Sequence, residues 1–169
     1  DHKMVNKFLI AIIAIVAVMA GLIAVPRLGG QPAEIQQDLS IEYSRQNLTR
    51  IDDGRLVAAS AEDLTIRNDR SALYRDITGA TGEMTFTISV EEMNSLKGLI
   101  IETGFMQVDS ASYPEKEGLA NLTRYAVELT SGGDPKNISW VNVEASETAV
   151  PSIVRNIGAQ LDAIIERYV

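Results

Sequence analysis

The chain contains no cysteine, and its only histidine is His2. Without thiols it can form no disulfide, and it offers neither a thiolate metal ligand nor a cysteine nucleophile. With histidine confined to position 2, the rest of the chain can build no serine–histidine–aspartate triad and no histidine metal centre. Tryptophan is nearly absent as well, with Trp140 alone among 169 residues. Basic residues are in the minority: 15 Lys and Arg face 23 Asp and Glu, for a net charge of −8. Asp1, Lys3, Lys7 and Arg27 all precede Gln31, so the remainder is more acidic than the whole. Such a balance argues against nucleic acid as a partner and against electrostatic docking on anionic lipid. The glycine-containing stretches at 79–82 and 131–133 lack the Lys-Ser or Lys-Thr ending of a phosphate loop, and both are expected to be turns. No cofactor is expected, and the chain is not expected to be an enzyme.

What the chain does have is a long apolar run. Residues 8–25, FLIAIIAIVAVMAGLIAV, carry no charged or polar side chain. As a helix they would reach roughly 27 Å, close to the ~30 Å hydrocarbon core of a bilayer. Val18-Met19-Ala20 is a passable signal-peptide cleavage site, but the run continues past it to Val25, so a retained transmembrane helix is expected. Pro26 and the pair Gly29-Gly30 end it. Lys3 and Lys7 precede the run and Arg27 alone follows closely, which puts residues 1–7 in the cytoplasm and the C-terminal portion outside. Ala17, Gly21 and Ala24 supply small residues at near-helical spacing, a candidate packing face for another membrane helix. Residues 26–37 read as a linker, and 38–169 as one extracytoplasmic domain. Asn47, Asn121 and Asn137 each open an Asn-X-Ser/Thr sequon and are candidate glycosylation sites.

The outer domain is patterned first for strands. Leu39, Ile41 and Tyr43 alternate, Asp52-Asp53-Gly54 opens a second strand, and Leu64 and Ile66 mark a third. Met84, Phe86, Ile88 and Val90 alternate in a fourth. The period then changes: Ser89 and Glu92 have capping-box spacing, Met93, Leu96, Leu99 and Ile100 form a helical stripe, and Gly104 suits a left-handed cap. Tyr125, Val127 and Leu129 alternate, the run SGGDPK turns, and NISWVNV returns. A final helix over about 150–168 keeps Ile153, Val154, Ile157, Leu161, Ile164, Ile165 and Tyr168 on one face. The expected fold is α+β: one N-terminal transmembrane helix, then a largely antiparallel sheet with two amphipathic helices on one face.

Carboxylates are the remaining candidates for chemistry. Asp52-Asp53-Gly54 lacks the spaced acidic series of a calcium loop and reads as a hairpin turn. Glu91-Glu92 falls in the first turn of a helix, where negative charge suits the dipole, rather than forming a catalytic acid pair. Trp140, in an alternating strand, reads as packing rather than as a ligand platform.

Across TFTISVEEMNSLKGLIIETGF, NLTRYAVELTSGGDPKNISW and PSIVRNIGAQLDAI, the order of parts resembles the emfourin-type protease-inhibitor fold. Leu96 and Phe105 in and after the helix, Tyr125 in the following strand and Pro151 before the last helix carry the likeness, which spans about 39–165. It implies a fold and points to no inhibitory residue. The lysine-flanked anchor, the lack of cysteine and the acidic, sequon-bearing domain also resemble small membrane proteins of ammonia-oxidising archaea. That resemblance implies an accessory subunit of a complex such as ammonia monooxygenase. The expected function is accordingly a non-catalytic accessory or structural subunit of a membrane complex, its partners being the lipid bilayer and other subunits. A membrane-tethered emfourin-like inhibitor and an extracytoplasmic binding module are the alternatives.

Overall fold

A computed structural model of the chain describes residues 35–79, 82–109 and 112–169. The expected transmembrane helix, its packing face at Ala17, Gly21 and Ala24, and the cytoplasmic N-terminus lie outside the described residues. Among the described residues, no helix is long and apolar enough to cross a membrane.

Among the described residues, six strands and two α-helices follow in order: β1 (Leu39–Arg50), β2 (Leu56–Ile66), β3 (Ser71–Asp76), β4 (Glu83–Thr87), α1 (Val90–Glu102), β5 (Asn121–Ser131), β6 (Asp134–Val141) and α2 (Ser152–Tyr168). The strands form one antiparallel sheet in the order β4-β3-β2-β1-β5-β6, with β1 at its centre. The protein is α+β, as the patterning predicts. Ile41, Tyr43, Leu64, Ile66, Val127 and Ile138 point to one side of the sheet. They share a continuous buried core with Leu96 and Ile100 of α1 and with Ile157 and Leu161 of α2. Each such side chain, fully buried, contributes about 1.5–3 kcal/mol before ordering costs are set against it.

Local chemistry fixes the ends of the elements. The Ser89 hydroxyl accepts from the Glu92 backbone N–H while the Glu92 side chain reaches back to Ser89, so α1 starts on a complete capping box. Glu92 also accepts from the Tyr168 hydroxyl at 2.5 Å and pairs with Arg167 at 3.2 Å, which joins the start of α1 to the end of α2. Gly104, at φ 80°, takes the left-handed turn that follows α1. Ahead of β1 the chain is strapped down: Asn94 accepts from the Ile35 N–H, and the buried Lys97 ammonium donates to the Ile35 carbonyl at 2.8 Å.

Several expectations about the strands are corrected. The fourth strand stops at Thr87, so Ile88 lies beyond it and Val90 opens α1, and β6 already begins at Asp134 within the expected SGGDPK turn. The separate second and third strands are one element, β2. Asn47 faces Ser60 while Leu48 faces Ala58, so Ala59 bulges out and resets the alternation in mid-strand, which makes β2 read as two pieces. The segment SALYRD, given no element from the pattern, is β3. Asp69 accepts from the Ser71 N–H and Arg70 adopts φ 72°, a tight turn that sends Ala72 and Tyr74 into the core. Asp52-Asp53-Gly54 is the β1–β2 turn, with Arg55 held on Asp53. Trp140 is buried, as the packing reading has it.

Candidate functional site

On the helix-covered face, the apolar stripe of β1 gives way to charge. Next in phase after Leu39, Ile41 and Tyr43 comes Arg45, which lies opposite Glu62 on β2 and Tyr125 on β5. Asp162 descends from α2 onto this spot. It accepts from the Tyr43 hydroxyl at 2.6 Å and pairs with Arg45 at 2.9 Å, while Arg45 also pairs with Glu62 at 2.6 Å. Tyr125 stacks between Tyr43 and Trp140, at centroid distances of 6.5 and 5.3 Å. Burial, with the Asp162 charge next to it, pushes the Tyr43 phenol far above its usual range. Burial likewise raises the Asp162 pKa, although Tyr43 and Arg45 both favour its charged form. For Arg45 burial works against the charge, and Asp162 and Glu62 more than offset it. Through these bonds the network ties α2 to the sheet. It escaped the sequence because Tyr43 and Asp162 are distant along the chain. The one local signal was Arg45 continuing an inward alternation.

Among the described residues, no helix lies on the opposite face of the sheet. A shallow depression of about 320 Å³ there is lined by Glu42, Asp63, Leu73, Arg75, Ala126 and Glu128 among others. Glu42 and Glu128 sit directly across from one another on β1 and β5. Asp63 is pushed above the usual carboxylate range by burial, with Arg75 opposing and Glu42 adding to the shift. Like charges paired across two strands destabilise the sheet by about 0.2–1 kcal/mol. Glu128→Lys is therefore expected to raise the urea midpoint of the domain, and the gain should shrink in high salt as the charges are screened. An unchanged or lowered midpoint at low salt would show that the pair carries no strain. Among the described residues, no group of three or more His, Asp or Glu side chains is arranged to hold a metal ion.

The three sequons are placed very differently. Asn47 lies opposite Thr123, and Thr49 opposite Asn121, so two sequons face each other across β1 and β5. The Thr123 hydroxyl donates to the Asn47 side-chain oxygen at 2.9 Å, and the Thr49 hydroxyl to that of Asn121 at 3.2 Å. The Asn47 amide donates in turn to the Ser60 hydroxyl at 2.7 Å. Asn142 bonds the Thr123 backbone from both its side chain and its own N–H. All three asparagines are exposed, and Asn137 differs in lying on the edge strand β6 rather than on β1 or β5.

Comparison with known proteins supplies no relative: no family model matches the chain, and no curated protein matches its sequence.

Proposed function

We propose that the chain is a non-catalytic accessory subunit of a membrane protein complex, tethered by residues 8–25 with the described domain outside. One observation carries the reading for that domain. Tyr43, Arg45 and Asp162 bond to one another and hold α2 to the sheet, while among the described residues no helix covers the opposite face, which carries Glu42, Asp63 and Glu128. The apolar run and its flanking lysines support the tether. Archaeal ammonia monooxygenase is the specific complex that the resemblance in style suggests. Carbonate-washed membranes should keep the full-length chain in the pellet, and protease added outside intact cells should remove the domain. A chain released by carbonate, or protected until the cells are lysed, would overturn the tether or its orientation.

Helix association in a bilayer depends on close backbone packing, because lipid is as apolar as leucine. Gly21→Leu should therefore loosen the chain from its partners in mild detergent without preventing insertion. Retention equal to wild type would remove the helix face from the account.

A second reading, a membrane-tethered protease inhibitor of the emfourin type, is favoured by the order β4, α1, β5, β6, α2. That is the order of parts on which the resemblance rests. Inhibition of a metalloprotease at sub-micromolar concentration would separate it from the subunit reading.

A further inference from the structure

The three sequons are equivalent as sequence and not as structure. We infer that Asn137 is the one modified with a glycan, and that the other two sequons serve instead as a clamp between β1 and β5. This rests on the extracytoplasmic placement proposed above.

Asn47 lies on the central strand, bonded to β2 on one side and β5 on the other, and both ends of its side-chain amide are engaged. Asn121 accepts from Thr49, and the Thr123 of its own sequon is held by both Asn47 and Asn142. To enter a transferase, either sequon would have to peel strands from the middle of the sheet and give up these bonds. Asn137 is exposed like the other two asparagines, but it makes no side-chain hydrogen bond among the described residues. It is separated by only a few residues from the Gly132–Gly133 turn, on a strand that pairs with β5 along one edge and is met on the other at Ser139, which bridges to Ser112 and accepts from the Tyr113 N–H at 2.9 Å. Strand ends beside a hairpin tip open locally at far lower cost than a central strand does.

The donor class is a sugar linked through phosphate to a polyisoprenoid lipid. The Asn137 side-chain nitrogen forms a bond to the anomeric carbon, and the bond from that carbon to the lipid phosphate oxygen breaks. The lipid phosphate leaves with the electron pair, and the amide proton passes to a base on the transferase. A glycan there would stand at the rim of the open sheet face, on the same side as Glu128, which lies opposite Asn137.

The test uses the full-length chain in a host whose oligosaccharyltransferase acts on folded proteins outside the cytoplasmic membrane. A flexible Asn-Gly-Thr tag is added after Val169 as an internal gauge of exposure. Peptide mapping should find sugar on the tag and on Asn137, and Asn137→Gln should leave the tag alone modified. Sugar on Asn47 or Asn121, or a modified tag beside a bare Asn137, would overturn the assignment. A bare tag would overturn the extracytoplasmic placement itself, and the assignment with it. The clamp has its own readout: Asn47→Ala should lower the melting temperature by about 2–5 °C, and Asn137→Ala should leave it unchanged. Equal shifts for the two variants would contradict the clamp.

Discussion

Asp162→Ala is expected to destabilise the domain by about 2–3 kcal/mol. Removing one member of a buried ionic pair costs about 3–5 kcal/mol, because the partner keeps its desolvation penalty. The lower figure applies here because the Asp162 side chain is 28% exposed and Arg45 retains Glu62. The Tyr43 hydroxyl, on a residue only 2% exposed, loses its acceptor as well. A buried network of this kind is weak evidence for stability in itself, since apolar side chains of similar volume often serve as well. The triple replacement Tyr43→Phe, Arg45→Met, Asp162→Leu should therefore recover most of the loss. The pH dependence has a definite sign. With its folded pKa raised above the ordinary 3.8, Asp162 binds its proton more tightly in the native state than in the unfolded chain. The proton-linked part of its contribution is full below that ordinary value and is lost as pH rises through the raised one, while the pairing with Tyr43 and Arg45 remains above it. Urea titrations across this window should show the decline in wild type and its absence in Asp162→Ala. A single variant as stable as wild type, or a triple variant less stable than the single, would contradict the network's role.

Trp140→Ala should cost about 3–5 kcal/mol, the usual range for emptying a large aromatic site. The ring lies against α2 because Gly158 has no side chain: a Cβ there would meet the Trp140 ring at 2.7 Å. Gly158→Ala would gain about 1 kcal/mol of helix propensity, yet crowding a packed core costs about 1–3 kcal/mol, so a net loss is expected. Once the ring is gone the methyl has room. The double variant should therefore be more stable than the sum of the two single losses implies, and strict additivity would show that the two positions do not meet.

Most of the fold was legible because its signals are local. The inward alternation of Leu39, Ile41 and Tyr43, the capping box of Ser89 and Glu92, and the stripe of Ile157, Leu161 and Ile164 each sit within one element. What stayed hidden was set by register between distant segments. The bulge at Ala59 broke β2 into two apparent strands, since alternation is a useful guide only while pairing is regular. Nothing near Arg45 announces Asp162, and nothing near Asn47 announces Thr123. The first meeting follows from where α2 packs on the sheet, the second from which strand lies beside β1 and by how many residues it is shifted. The open sheet face was equally illegible, because polar residues in alternate positions read the same whether solvent or a partner covers them.

The claim that the chain serves a larger membrane assembly is tested most directly by what accompanies it. Full-length chain isolated from native membranes in mild detergent should bring down a fixed set of membrane proteins in stoichiometric amounts. Glu42→Lys with Glu128→Lys on the open sheet face should shed part of that set while the chain remains folded and inserted. Recovery of the wild-type chain as a free monomer, with no stoichiometric companion and with sub-micromolar inhibition of a metalloprotease, would contradict the subunit account in favour of a tethered inhibitor.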